Sequence, residues 1–124
     1  MIYSTEDVFS KVPRGHELYL AFASRIHQMF QEVKVKVSKT QVSFSNRYVF
    51  AIASVPLRRK KEWPKECILI TFGLPFQLED PRIVEAVEAY PRRWTHHVLI
   101  QREDEIDEEL MEWIGASYQF SLEK

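Results

Sequence analysis

Several features that mark common protein classes are missing from this chain of 124 residues. Its single cysteine, Cys67, cannot form an internal disulfide, which fits a reducing compartment. No apolar stretch approaches the roughly 20 residues that a membrane-spanning helix needs. The first 15 residues include acids and lack the basic and then apolar order of a signal peptide. These absences predict a soluble cytoplasmic protein with no membrane partner.

Glycine is also scarce, and this bears on domain organisation. The chain has three glycines, and it has no Gly/Ser-rich linker, internal repeat or low-complexity tract. Hydrophobic residues make up 45% and charged residues 28%, as in ordinary globular proteins. We therefore predict a single domain over residues 1–124, in which residues 1–13 form an N-terminal arm or short helix.

The net charge of −1 conceals a division between the two halves of the sequence. Residues 1–65 contain 12 Lys and Arg against five Asp and Glu, whereas residues 66–124 contain five against 13. Such asymmetry can mark an anionic partner, or it can bring opposite surfaces together within the fold or across a dimer. The near-zero total favours the second interpretation, since most nucleic-acid-binding domains carry a clear positive excess.

Helical patterns occur at both ends of the chain and once in its second half. The pattern from His16 to about Glu32 predicts an amphipathic helix, because apolar residues recur there at helical spacing. A short helix is predicted at "STEDVF", with Ser4 or Thr5 as its cap, and another after Asp80, with Pro81 at its first position. The last helix is predicted to be capped by Asp104, and its apolar stripe contains Ile106, Leu110, Trp113, Ile114 and Ser117.

Five further segments have the composition or the alternation of strands. They are "VKVKV" (33–37), "QVSFS" (41–45), "RYVFAIASV" (47–55), "CILITF" (67–72) and "THHVLIQ" (95–101). In the first, the valines are predicted to face the core and Lys34 and Lys36 the solvent. The short connections between the first four indicate an antiparallel meander. The predicted class is therefore α+β, with a mainly antiparallel sheet of about five strands, helices on one side, and the order α-α-β-β-β-β-α-β-α.

The adjacent histidines of "YPRRWTHHV" are the first candidates for chemistry. Neighbouring residues in a strand point to opposite faces, so His96 and His97 cannot easily serve one metal ion. No motif with metal-ligand spacing is present, and we expect no metal and no cofactor. One histidine could act as a general acid or base, the commonest role for this side chain in catalysis. A catalytic pair of Cys67 with His96 would require neighbouring strands, and a buried inert thiol is the favoured interpretation.

Two loops combine arginines with a tryptophan and a proline, namely "RRKKEWPK" (58–65) and "YPRRW" (90–94). Guanidinium groups suit phosphate or carboxylate, and an exposed tryptophan can stack on a ring. If both loops lay at the same edge of the sheet, they would form a site for an anionic ligand. The alternative is that both are solvated loops whose tryptophans cover the end of the core.

Four motifs in this order resemble a family of small bacterial domains of unknown function, some of whose members are labelled "predicted transport protein". The motifs are "VSKTQVSFSNRYVFAIASVP", "LPFQLEDPRI", "RWTHHVLI" and "EIDEELMEWIGASY", and the resemblance covers roughly residues 14–122. It implies architecture rather than an activity. The positions that match the family pattern are Lys39, Arg47, Phe50, His96, Asp107, Trp113 and Tyr118. Asp107 and Trp113 are explained by structural roles, as a charge at the helix N-terminus and as part of the apolar stripe. Lys39, Arg47 and His96 have no such role and are therefore candidate site residues.

Three hypotheses for function follow. The first is a binding or accessory module for an anionic ligand, which could be a phosphate, a carboxylate or single-stranded nucleic acid. Its predicted ligand-binding residues are Lys39, Arg47, Arg58, Arg92, Trp94 and His96. The second is a small enzyme that uses His96 as acid or base, with Lys39 or Arg47 holding a substrate anion. The third is an interaction protein, such as a homodimer, whose basic and acidic halves pair across an interface.

Overall fold

A computed structural model describes residues 3–56, 63–64 and 66–123 of the chain. The helices are α1 (Thr5–Phe9), α2 (Gly15–Met29) and α3 (Glu108–Leu122), with a short 3₁₀ helix at Glu103–Glu105 before the last of them. The strands are β1 (Lys34–Val37), β2 (Gln41–Ser45), β3 (Val49–Ser54), β4 (Ile68–Leu74), β5 (Ile83–Tyr90) and β6 (Arg93–Ile100). The six strands form one antiparallel sheet in the order β1-β2-β3-β4-β6-β5. The predicted α+β class is confirmed.

The predicted helix after Asp80 is wrong, because this segment forms strand β5. Pro81 precedes the strand instead of opening a helix, and residues 83–90 pair with β6. Ile83, Val84 and Val87 are spaced so that they fit a helical stripe as well as a half-exposed strand. The pairing with β6 decides between the two, because it gives the backbone groups on one side of β5 their hydrogen-bond partners. A turn at Pro91 and Arg92 joins the two strands into a hairpin.

The first helix confirms the predicted cap. Ser4 caps α1, where it accepts a hydrogen bond from Asp7 N–H, and the Asp7 carboxylate accepts one from Ser4 N–H in return. Arg14 then turns the chain with a φ of 63°. A Cβ on Gly15 would lie 2.9 Å from Val12 Cβ and 3.0 Å from the Phe9 oxygen, so only glycine fits this contact between the chain before α2 and its first residue.

Helix α3 begins later than predicted. Its cap is Asp107, which accepts a hydrogen bond from Leu110 N–H at 3.0 Å, whereas Asp104 lies in the preceding 3₁₀ helix. The apolar stripe is as predicted: Ile106, Leu110, Ile114 and Ser117 are buried, and Trp113 is half-buried against the core.

All three helices lie on one face of the sheet, where the core forms. Strands β2, β3, β4 and β6 contribute alternate buried residues to that core, which include Phe44, Ala51, Phe72 and Val98. Ser117 of α3 joins the layers, because its hydroxyl donates to Phe50 O at 2.7 Å and accepts from Gly73 N–H at 3.1 Å. Phe50 has no counterpart on β2, because the strand register shifts beside it. None of the described helices is long and apolar enough to cross a membrane.

Candidate functional site

The opposite face of the sheet carries no described helix, and we call it the helix-free face. One row of side chains crosses this face with one residue from each of the six strands, because residues that are paired in the strand register point to the same face. The row consists of Lys36, Ser43, Ile52, Thr71, His97 and Glu85. A second row contains Gln41, Ser54, Leu69 and Leu99. Small hydroxyl side chains thus alternate with aliphatic ones across an accessible surface.

A shallow depression of about 280 Å³ lies on this face, towards the end of the sheet where β2 begins and β3 ends. Ile52, Leu69, Val55 and Pro56 supply its apolar lining. The polar lining consists of Thr40, Gln41, Ser54, Thr71 and His97. Apolar surface with a few converging polar groups is the usual composition of a small-molecule site.

His97 is the central polar group of the depression. Its Nδ1 lies 2.9 Å from the Thr71 hydroxyl, and its Nε2 lies 3.8 Å from Glu85 Oε1. If Nε2 carries the proton, its N–H faces the carboxylate and Nδ1 accepts from Thr71, an arrangement that both neighbours favour. Burial lowers the pKa of His97, and the Glu85 carboxylate partly opposes this shift. The side chain keeps 20% of its surface exposed, so a neutral imidazole is accessible from the helix-free face at pH 7.

His96 faces the opposite way, into the core. It is 0% exposed, its ring stacks on Phe72 with 5.1 Å between centroids, and its Nε2 accepts a hydrogen bond from Leu78 N–H at 2.9 Å. That bond places the proton of the neutral ring on Nδ1, which has no hydrogen-bond partner among the described residues. Burial lowers the pKa of His96, and the nearby backbone of Phe72 and Trp94 offsets this only in part. A surface ligand therefore does not reach His96 in this structure, and the enzyme hypothesis loses its accessible base.

The structure does not bring the predicted ligand-binding residues together at one site. Lys39 lies in the turn between β1 and β2, at the end of the sheet that holds the depression, and it is exposed. Arg47, in the turn between β2 and β3, and Arg92, in the turn between β5 and β6, lie at the other end. A strand of eight residues such as β6 is roughly 25 Å long, so no small ligand spans both ends. Arg58 lies outside the described residues.

The chain enters the two predicted basic loops at opposite ends of the sheet, and most of the first loop lies outside the described residues, so a site shared between them stays a prediction. The connection that contains residues 58–65 runs from the end of β3 to the start of β4, whereas the 90–94 loop joins β5 to β6 at the far end. Trp94 is half-buried on the same face as His96, and it lines a separate cleft of about 210 Å³ with Tyr90 and Arg93. The binding roles predicted for Arg47, Arg92 and Trp94 stay predictions.

Arg92 and Cys67 each have a place in the local structure. The Arg92 backbone adopts a φ of 62°, and its N–H donates to Glu88 Oε2 at 3.4 Å. Cys67 is buried, and it lies before β4 at the end remote from His96, which pairs with Phe72, so the two cannot form a catalytic pair. Across residues 3–56, 63–64 and 66–123, no three His, Cys, Asp or Glu side chains group as metal ligands would.

Sequence reasoning missed three members of this site, Thr71, His97 and Glu85. Thr71 stands in a strand that appeared buried on both faces, and Glu85 fell in the predicted helix. A signal for the histidines was available, because His96 shares its strand face with Val98 and Ile100, both of which are buried. These buried neighbours indicate that His96 faces the core, and His97 then faces the accessible side.

Comparison with known proteins places the chain in a family but gives it no activity. No curated protein and no solved structure matches the chain. The model of a domain of unknown function, DUF5655, matches residues 5–121, so the match also includes α1, which lay outside the resemblance noted from the motifs. The match covers nearly the whole sequence, and the chain therefore belongs to the DUF5655 family.

Proposed function

We propose that this domain is a binding module for a small ligand with an anionic group and an apolar body, and that the ligand lies in the depression on the helix-free face. The observation that carries the proposal is that His97, Thr71 and Gln41 surround an apolar floor on the helix-free face of the described sheet. This keeps the anionic ligand of the sequence hypothesis and assigns it to a different set of residues.

The floor and the rim of the depression favour an elongated ligand. Ile52 and Leu69 lie between β2 and β6, where the strands that carry Gln41 and His97 are about 14 Å apart at the usual strand spacing. An aliphatic chain would cover the two apolar side chains. One end of such a ligand would meet the imidazole and hydroxyl of His97 and Thr71, which donate or accept hydrogen bonds.

Lys39 supplies the positive charge at the other end. It precedes Thr40, which lines the depression, and it forms no ion pair with any of the described residues. An ammonium group without a carboxylate partner is free to attract a phosphate or a carboxylate. The described lining contains no Phe, Tyr or Trp ring on which a nucleobase could stack, so the site favours a small anion over single-stranded nucleic acid.

The test is a titration of the ¹⁵N-labelled protein with adipate, hexyl phosphate and inorganic phosphate, followed by two-dimensional NMR. We expect amide shifts at Gln41, Ser54, Leu69 and His97 with the two ligands that have an aliphatic body. Inorganic phosphate, which lacks that body, should shift the Lys39 turn most. A stronger response to adipate than to hexyl phosphate would identify carboxylate as the preferred group, and the reverse would identify phosphate.

The matched variants are Lys39→Gln and Lys11→Gln, which remove the same charge from exposed positions at and away from the depression. Lys39→Gln should weaken binding about two- to fivefold, which corresponds to about 0.5–1 kcal/mol for an exposed charge pair. Lys11→Gln should leave the affinity unchanged. Equal affinity in both variants, or no shifts on the helix-free face at about 10 mM ligand, would contradict the proposal, since even weak sites bind in this range.

A further inference from the structure

The two outer strands of the sheet carry opposite charges. Strand β1 presents Lys34 and Lys36, whereas β5 presents Glu85 and Glu88. The strand order nearly follows the chain order, so β1 from the basic first half and β5 from the acidic second half lie at opposite edges of the sheet. Each outer strand thus carries the charge sign of its half of the sequence.

Both outer strands are suited to pairing with a further strand. Each has a neighbour on one side only among the described elements, and the backbone groups of an edge strand are a template for strand addition. Apolar side chains are exposed on both, since Val35 is 42% and Val87 51% exposed. An edge that combines apolar and charged side chains can select a partner of complementary charge.

We propose that β5 of one copy pairs with β1 of a second copy, so that the sheets of successive molecules join head to tail. The strand directions support this arrangement. All five pairings within the sheet are antiparallel, and an even number of alternating strands leaves β1 and β5 antiparallel to each other. A second copy in the same orientation therefore continues the alternation and keeps its helices on the same side.

The side-chain faces permit a register in which opposite charges meet. Lys36 and Glu85 both belong to the row that crosses the helix-free face, and directly opposed residues of an antiparallel pair share a face. In the register that pairs Lys36 with Glu85, Lys34 lies opposite Val87 and Val35 lies opposite Ala86. The exposed valines then become covered while the unlike charges adjoin.

Symmetric alternatives place like charges together. Pairing β5 with β5 of another copy would bring two acidic strands together, and pairing β1 with β1 would bring two basic strands together. Like charges directly opposite each other destabilise strand pairs. The charge pattern therefore favours the head-to-tail contact, which produces rings or longer chains rather than closed dimers.

The first test is sedimentation velocity of the unmodified protein at about 20 mM and about 500 mM NaCl, conditions in which the screening length is near 20 Å and 4 Å. At protein concentrations of about 100 μM and above, we expect species larger than a dimer at low salt and about tenfold weaker association at high salt. A monomer at all concentrations and both salt levels would overturn the proposal. A dimer that does not grow further would overturn it as well.

The second test reverses the charge of each edge separately, in Lys34→Glu with Lys36→Glu and in Glu85→Lys with Glu88→Lys. Each variant alone should associate about tenfold more weakly, because its two edges then carry the same sign. An equimolar mixture of the two variants should recover association, since every acidic edge then meets a basic one. The control carries Lys11→Glu and Glu112→Lys, which reverse exposed charges away from the strands and should not change association.

Circular dichroism melts establish that each variant is folded, and the neutral pair Lys36→Gln and Glu85→Gln replaces any variant that is not. With the neutral pair, each variant should associate more weakly than the unmodified protein. Stronger self-association of the neutral Glu85→Gln variant alone would indicate pairing between two β5 strands, whose mutual repulsion this change relieves, and would reject the head-to-tail contact. These outcomes are independent of ligand binding, which the Lys39 variant tests in the depression.

Discussion

His96 and His97 are adjacent in the sequence, yet the two faces of the sheet give them different chemistry. His96 is enclosed in the core, where its ring stacks on Phe72 and accepts a hydrogen bond from Leu78 N–H. His97 lies between Thr71 and Glu85 on the helix-free face, where its ring remains partly accessible. The same side chain is thus a structural element on one face and a candidate ligand contact on the other.

The difference arises from what covers each face and not from the strand itself. Helices α2 and α3 remove water from one side of β4 and β6, so polar groups there depend on partners within the protein. The other side meets solvent, and polar groups can be left for a ligand. The comparison predicts that substitutions on the covered face change stability, whereas substitutions on the helix-free face change binding.

The largest effect is expected for neighbouring residues of β4 that point to opposite faces. Phe72→Ala should lower the free energy of unfolding by about 3–5 kcal/mol, because it leaves a cavity beside His96 and Trp113. Thr71→Ala should lower it by no more than about 1 kcal/mol, since it removes one partly solvated hydrogen bond. Urea unfolding at pH 7.5 measures both. Similar losses in the two variants would contradict the distinction between the faces.

An intermediate effect is expected at Arg82, which binds the sheet to α3. Its guanidinium donates to Asp107 Oδ1 at 2.9 Å, to Glu109 Oε1 at 3.3 Å and to Glu105 O at 2.6 Å. Although burial alone lowers it, these carboxylates raise the pKa of Arg82. The two carboxylates belong to Asp107, the N-cap of α3, and to Glu109 in its first turn. Arg82→Met should cost about 1–2 kcal/mol of unfolding free energy, because a partly buried carboxylate loses its partner.

The control for Arg82 is Lys36→Met, an exposed cation on the helix-free face. This change should alter the unfolding free energy by less than about 0.5 kcal/mol, as is usual for surface substitutions. The two variants remove the same charge and retain an unbranched side chain, so urea unfolding compares the positions directly. A loss at Lys36 equal to that at Arg82 would show that the helix-free face carries structural ion pairs of its own.

The smallest effect is expected in the dependence of stability on pH. Burial lowers the pKa of both histidines in the folded chain. In the unfolded chain their pKa has the ordinary value of about 6.5, so the unfolded chain binds protons more readily as the pH falls below that value. Their contribution to stability is present above that value and is lost as the pH falls towards the folded values. We expect a loss of about 1 kcal/mol between pH 7 and pH 6, within the limit of one proton per histidine.

His96→Gln and His97→Gln separate the two contributions. Because His96 is fully buried, and because Glu85 favours the protonated form of His97, His96→Gln should flatten the pH dependence more. Thermal melts between pH 7.5 and pH 5.5 measure this slope. Asp107 does not titrate in that range, because, despite burial, its hydrogen bonds from Leu110 N–H and Arg82 hold its pKa below the usual value. A steeper slope after His96→Gln would reverse the assignment.

Most elements of the fold could be predicted from local patterns, and the one segment assigned to the wrong type of element has a clear cause. The alternation in 41–45 and the helical spacing after His16 leave little choice, because each pattern fits only one period. Residues 83–90 are ambiguous, since their few apolar residues fit either period and their partner strand follows them in the sequence. Val35 was expected in the core but is 42% exposed, because β1 is an outer strand that the helices cover incompletely.

The candidate site was predicted less well, for a related reason. Strand alternation correctly separated His96 from His97, but it does not say which face the helices will cover. Lys39 and Arg92 lie in turns as expected, whereas Arg47 was predicted to begin the third strand and lies in the turn before it. Only the sheet order decides that Lys39 is at one end and the arginines at the other. Proximity between such residues depends on strand pairing, which local sequence does not encode.

The sequence by itself determined the α+β class, the capped first helix, the amphipathic helices and the division of charge between the two halves, because each depends on residues close together along the chain. The tertiary structure alone decided that β6 lies between β4 and β5, which face stays free of helices, and that Thr71, His97 and Glu85 meet there. These features depend on contacts between distant segments, which form only where burial of apolar surface outweighs the entropy of bringing the segments together.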